Sequence, residues 1–216
     1  MRGTHAAVLV AFLLGAAAAA QPACAPWPAA AGGPALDLAP PPGYAEVCSQ
    51  DAALCHRLTA GYPPSVLTLG YFVPVDEWAA FRRGETLGFL QYLIAQLATA
   101  TAPDDLPGLK ARLRAQQGDA PDHTQLPAVF ESAGRATLGI FDETDRSVSF
   151  GVVMRLRPAG ATPGVPELTL VATNTLLALG DRVLSLYVYR EYGGPPDVAA
   201  AERLTREWLA CLTTGR

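Results

Sequence analysis

The chain has 216 residues, half of them apolar, with 16 basic against 20 acidic side chains and a net charge of −4. That length suits one domain, and the apolar share suffices for a sizeable core. The acidic balance, with no cluster of lysine or arginine, argues against nucleic acid and against an anionic membrane surface as partners.

Arg2 and His5 precede an apolar run over residues 6–15, and residues 16–20 are all alanine, the small side chains that precede a signal-peptidase cut. Residues 1–20 are therefore predicted to be a signal peptide, cleaved near Ala20 and Gln21. As a retained anchor the stretch is too short, since a spanning helix needs about 20 predominantly apolar residues. Three prolines, Pro22, Pro26 and Pro28, also stop it from extending. No leucine-led small-residue box precedes Cys24, so a lipid anchor is not expected either. Losing Arg2 leaves 15 basic against 20 acidic groups, a net charge of −5 for the mature chain. The mature protein is expected to be periplasmic or secreted, with no membrane insertion after cleavage.

Residues 21–43 form a Pro/Ala/Gly tract, ending in Pro40, Pro41 and Pro42. Such a composition buries too little surface to order itself, so a flexible spacer is predicted, followed by a single domain over residues 44–216. The domain opens with a predicted helix over residues 44–59 that carries Cys48 and Cys55. All four cysteines, Cys24, Cys48, Cys55 and Cys211, fall in the mature region, and an even count in an exported chain favours two disulfides. Three connectivities are possible. Seven helical residues separate Cα atoms by about 10.5 Å, beyond the roughly 7 Å that a bridge tolerates. Pairing Cys48 with Cys55 thus requires the segment to bend or unwind. If the helix holds, each thiol must reach Cys24 or Cys211. In either case Cys211 is expected to tie the last helix to the N-terminal region.

A strand follows over residues 66–73, rich in β-branched and aromatic side chains. Asp76 is positioned to cap a helical stretch holding Trp78 and Phe81, which Gly84 interrupts. Leu87, Leu90, Ile94 and Leu97 recur at i, i+3, i+7 and i+10, the pattern of an amphipathic helix. Asp104 or Asp105 caps a further helix over residues 106–116. Leu106, Leu109 and Leu113 point inward on it, and Lys110, Arg112 and Arg114 form a solvated face. A polar loop over residues 118–123 leads to a turn of helix near residues 127–131.

The period then changes to two. Val148, Phe150, Val152, Met154 and Leu156 share one face of a strand over residues 147–157, and Val153 alone breaks the polar character of the other face. That strand pairs through the acidic turn at 142–146 with residues 137–141. Residues 168–177 and 183–192 flank Gly180 and Asp181 as a second hairpin. Pro195, Pro196 and Asp197 start the last helix, whose stripe of Ala201, Leu204, Trp208 and Cys211 needs an apolar surface to cover. The Val148–Leu156 face is the expected partner. The predicted fold class is α+β: an antiparallel sheet of about five strands with helices packed on both faces.

The run of antiparallel strands closed by an amphipathic helix extends from about Leu168 to Leu212. It includes LSLYVYREYGGPPD and a helix ending in WLACL, and it resembles the PsbP-like fold group. That resemblance implies an exported or organelle-lumenal accessory protein. It assigns no functional residue.

Candidate chemistry is sparse. Asp122 and His123 are the best acid–imidazole neighbours, and such a pair could activate Ser132 or a water. Ser132 lies in no G-x-S-x-G frame, and a capping role for Asp122 or Thr124 is the simpler reading. Asp142, Glu143 and Asp145 lack the glycine and spacing of a calcium loop, so turn chemistry explains them. Tyr187 and Tyr189 share one strand face, with Asn174 on the neighbouring strand. Left uncovered they would form a ligand or partner face, and under the 87–97 helix they would simply be buried. No metal or cofactor is expected. The favoured function is a non-catalytic envelope accessory or binding protein whose partner is an envelope protein or a small ligand. The alternative is a small exported hydrolase using His123 with nearby carboxylates.

Overall fold

A computed structural model describes residues 24, 38–62, 66–86, 91–97, 102–115, 130–158, 160 and 166–213. The predicted signal peptide lies outside the described residues. Among the described residues, seven strands make one antiparallel sheet: β1 (Tyr44–Glu46), β2 (Leu67–Pro74), β3 (Gln91–Leu97), β4 (Phe130–Thr144), β5 (Ser147–Pro158), β6 (Leu168–Leu179) and β7 (Arg182–Glu191). Their order across the sheet is β1-β2-β3-β7-β6-β5-β4. The helices are α1 (Ala52–Thr59), α2 (Val75–Arg82), α3 (Leu106–Ala115) and α4 (Pro195–Thr213). The α+β class agrees with the sequence reading. The strand count exceeds the expected five by two, because β1 and β3 fall in segments predicted to be helical.

Residues 87–97 account for one of these differences. Residues 87–90 lie outside the described set, and 91–97 form β3, a central strand between β2 and β7. Leu93 and Ala95 enter the core on one face of the sheet, Ile94 on the other. A strand buried on both faces loses its period-2 signature, and its continuous apolar run then matches helical spacing by chance. Residues 44–59 supply the second difference. β1 ends at Glu46, a turn follows, and α1 starts only after Asp51, whose carboxylate caps the Leu54 N–H at 2.8 Å. Cys48 therefore stands before the helix, not on it. Its Cα comes within 4.7 Å of that of Cys55, and the two are bridged. Glu46 fixes this turn, accepting from the Cys48 and Ser49 N–H groups at 2.8 and 2.7 Å. The second bridge joins Cys24 to Cys211, tying α4 to the N-terminal region as expected.

The two hairpins of the second half form where predicted. Gly180 takes φ +63° at the β6–β7 turn, a conformation that costs glycine little. β4 and β5 pair over their full lengths around Asp145 and Arg146. Phe130 and Glu131 belong to β4, which corrects the turn of helix expected near residues 127–131, and residues 127–129 lie outside the described residues. On α2, Pro74 occupies the N-cap position and Asp76 sits in the first turn, while Gly84 at φ +94° follows the helix.

The last helix covers the face opposite to the one expected. Ala201, Trp208, Leu209 and Leu212 of α4 pack with Phe72, Leu93, Val171, Leu186 and Val188, and Val153 joins them. Val153, the one apolar side chain out of phase on β5, was the sign of this second buried face. The polar groups beneath α4 find one another: Thr173 with Thr205, and Ser149 with Thr175. Leu38 and Ala39, counted in the spacer, are buried on the same side, where the Trp208 indole N–H donates to the Ala39 carbonyl at 3.1 Å. The Val148–Leu156 face is covered instead by the short helices. Val152, Met154 and Leu156 join residues of α1 and α2, and Val148 and Phe150 pack under Leu106 and Leu113 of α3.

Candidate functional site

Tyr187, Tyr189 and Asn174 are buried, with 6%, 3% and 4% of their surface exposed. The expected cover, a helix over 87–97, is itself part of the sheet and adds Tyr92 to the same face. Leu54 and Leu58 of α1, Tyr62, and Trp78 and Phe81 of α2 close over it instead. Pairing register sets Tyr92 opposite Tyr189, and Ile94 opposite Tyr187. The rings of Tyr71, Tyr92, Tyr189 and Tyr187 stack in sequence, with centroids 4.6–6.1 Å apart. Burial pushes the hydroxyls of Tyr62, Tyr71, Tyr92 and Tyr189 well above the ordinary tyrosine range, and neighbouring tyrosines add to it. Burial also raises Tyr187, opposed by Ser185 and Asn174 beside its hydroxyl. Asn174 approaches that hydroxyl, yet neither of its amide atoms makes a well-formed hydrogen bond.

Of the other sequence candidates, Asp122 and His123 lie outside the described residues. Ser132 is exposed on β4 at the edge of the sheet. The acidic turn is closed by Lys110, which is only 7% exposed and not part of a solvated face. Its ammonium donates to the carbonyls of Thr144 and Asp145 and lies 3.9 Å from Glu143. Arg114 pairs with the same Glu143 from the exposed side of α3. Among the described residues, no group of three or more His, Cys, Asp or Glu side chains is placed to hold a metal ion.

A polar cleft that the sequence reading did not name lies at the start of α4. It measures about 270 Å³ and is lined by Glu77, Gln91, Arg190, Glu191, Gly193 and Asp197. Gly193 and Gly194 turn the chain from β7 into α4. This places Asp197 of the first helical turn over Arg190, the last inward position of β7 before the strand leaves the core. The Arg190 guanidinium donates to Asp197 at 3.1 Å and to the Gln91 side-chain oxygen at 2.9 Å. Gln91 in turn donates to the Tyr44 hydroxyl. The second Asp197 oxygen accepts the Gly193 N–H at 2.9 Å. That backbone bond, with Arg190 behind it, holds the Asp197 carboxyl below the usual carboxylate range.

Glu77 is the exception in this chain of partners. One of its carboxylate oxygens, Oε2, is shielded from solvent and accepts no hydrogen bond. Burial raises its pKa, and Asp76 beside it adds to the shift. With Arg190 neutralised by Asp197, Glu77 and Glu191 leave the cleft net negative. It can accept hydrogen bonds from a cationic group, and it holds no positioned nucleophile. One signal in the sequence pointed here: Arg190 follows Leu184, Leu186 and Val188 on the inward face of β7. A charge at an inward position marks where the covered face ends.

The molecule is thus an α+β protein built on one antiparallel sheet with helices on both faces and two disulfides. No family model matches the chain. No curated protein matches it either. Among solved structures, the chain is similar to the 1.9 Å crystal structure of the Ran-binding protein Mog1p from Saccharomyces cerevisiae. The two share 13% identity at a TM-score of 0.39, over 80% of this chain and 86% of that one.

Proposed function

We propose that this chain is an exported, non-catalytic accessory or binding protein of the cell envelope, belonging to the PsbP-like group of folds. The cleft at the start of α4 is its docking point for a partner protein or a small ligand. The observation that carries the binding reading is the arrangement within that cleft. A fixed chain of hydrogen bonds from Asp197 through Arg190 and Gln91 to Tyr44 lines the same cleft as one carboxylate, Glu77, whose inner oxygen has no donor. Such a carboxylate gains most from a charge-assisted hydrogen bond supplied by an incoming ammonium or guanidinium. The two disulfides support the extracytoplasmic address, since such bonds persist in oxidising compartments. No helix among the described residues is long and apolar enough to cross a membrane.

The test is a quantitative pull-down from envelope extracts of the exporting cell, with wild type and Glu77→Gln compared side by side. Partners that bind wild type should be lost from the variant, while an exposed control such as Arg83→Ala retains them. Equal recovery by both would remove the cleft from the reading. In parallel, the mature protein should be screened against ester, peptide and glycoside substrates. Turnover that disappears in a folded His123→Ala variant would put the hydrolase reading ahead.

A further inference from the structure

The cleft at the start of α4 offers about 270 Å³ of open space, and its one positive charge is already committed. Arg190 donates to Asp197 and to the Gln91 side-chain oxygen, while Asp197 also accepts the Gly193 N–H. Gln91 is committed in turn to the Tyr44 hydroxyl. An entering group meets these side chains as a rigid, satisfied frame.

Glu77 and Glu191 differ from that frame. Among the described residues, neither carboxylate takes part in an ion pair or a hydrogen bond. The charge acting on Glu77 is the like charge of Asp76. Two of the three carboxylates that line the cleft are therefore uncompensated, and the arginine between them cannot serve them.

Size, lining and geometry then select the occupant. Sites that enclose a small organic molecule usually measure about 300–1,000 Å³ and are walled mostly by apolar side chains. This cleft is smaller, and five of its six lining residues are polar or charged. It has room for the end of one side chain, and its charge calls for a cation. Arginine binds a carboxylate best through both oxygens at once, with its planar fork. Glu77 does not present both, because Oε2 is shielded from solvent. A lysine ammonium is a compact charge with three donors, each of which takes a single oxygen, and an open polar cleft lets it keep part of its water.

We propose that the cleft receives one lysine side chain of a partner protein, with its ammonium held by Glu77 and Glu191. The assignment rests on the docking role of this cleft and narrows it to a polypeptide partner and to lysine. Val75, two residues before Glu77, is 51% exposed and gives the segment that carries the lysine an apolar contact.

The probe is an end-capped pentapeptide, Gly-Val-Lys-Val-Gly, added to the mature, disulfide-bonded protein. Its counterparts carry arginine or acetyl-lysine in place of the lysine, and n-butylammonium supplies the ammonium without a peptide. In ¹H–¹⁵N spectra, the Gly193 N–H and the Gln91 side-chain amide report on the cleft, the latter assigned by its absence from Gln91→Glu. The lysine peptide should shift both signals saturably. The arginine peptide should bind at least threefold more weakly, and the acetyl-lysine peptide and n-butylammonium at least tenfold more weakly. Glu77→Gln should weaken the lysine peptide at least tenfold, and Arg83→Ala should leave its binding unchanged. The acetyl-lysine arm needs no variant, so the test holds even where Glu77→Gln folds poorly. Arginine that binds as tightly as lysine overturns the assignment, and so does n-butylammonium that binds as tightly as the peptide. It also falls if the lysine peptide leaves both signals unmoved at millimolar concentration, or if Glu77→Gln binds it as wild type does. Should Glu77→Gln nonetheless lose its envelope partners in the pull-down, only lysine is overturned; should it keep them, the docking role falls as well.

Discussion

The two disulfides differ in the length of chain they close, and their contributions to stability should differ accordingly. Cys24–Cys211 spans 187 residues and Cys48–Cys55 spans 7. In the chain-entropy model, these separations correspond to about 5 and about 2 kcal/mol at 25 °C, as upper values that measured bridges often miss. The surroundings widen the gap. The Cys48 turn is held independently by Glu46 and by the Asp51 cap, so it keeps its shape without the bridge. Paired Cys→Ala substitutions remove each bridge without leaving a thiol behind. Urea unfolding followed through the buried Trp208 and Trp78 then reads both variants on one scale. Cys24→Ala/Cys211→Ala should lose about 3 kcal/mol more than Cys48→Ala/Cys55→Ala. It should also show a larger m-value, since opening the long loop expands the unfolded chain. A Cys48/Cys55 variant that is the less stable of the two would refute the reasoning.

Glu46→Gln should cost about 2 kcal/mol in urea unfolding, because the new amide turns a donor toward N–H groups that the carboxylate now accepts. Lys110→Met keeps the buried stem but abandons the Thr144 and Asp145 carbonyls, so a loss of about 1–2 kcal/mol is expected, with little change for the exposed Arg112→Met. The tyrosines give a pH prediction of definite sign. The folded-state pKa values of Tyr44, Tyr62, Tyr71, Tyr92, Tyr187 and Tyr189 are all raised, so their contribution is intact below the unfolded value of about 10 and is lost as pH climbs toward the folded values. Tyrosinate absorbance at alkaline pH should therefore rise together with loss of the near-ultraviolet dichroism. Six tyrosines titrating reversibly near pH 10 with the dichroism intact would contradict it.

Legibility in the sequence tracked how many faces of an element are buried. β5, β6, β7 and α4 carry clear periodicities because each has a polar side or a strong turn signal at its end. β3 has neither, being a central strand with Leu93 and Ile94 entering different cores, and its spacing imitated a helix. β1 and its turn were misread for another reason. A three-residue edge strand has no period to detect, and the side chain that orders the turn, Glu46, is a buried carboxylate whose partners are backbone N–H groups. The placement of α4 failed on a weaker count. Both faces of the sheet are apolar enough to receive a helix, and only Val153 distinguished them.

The same logic explains how far two polar places within the sheet could be seen. Each is announced by a polar residue out of place in an apolar stripe: Arg190 after Leu184, Leu186 and Val188, and Asn174 between Ala172 and Leu176. What such a residue does depends on the elements beside it, and those lie far along the chain. Arg190 is satisfied by Asp197 from the following helix and by Gln91, which is 99 residues away in sequence. Its interruption therefore resolves into a fixed frame that lines the same cleft as Glu77. Asn174 has Phe150 and Tyr187 as its row neighbours, and the Tyr187 hydroxyl is the polar group beside its amide. One interruption is tied down by groups from two other elements, and the other is buried among the tyrosines of its own sheet face.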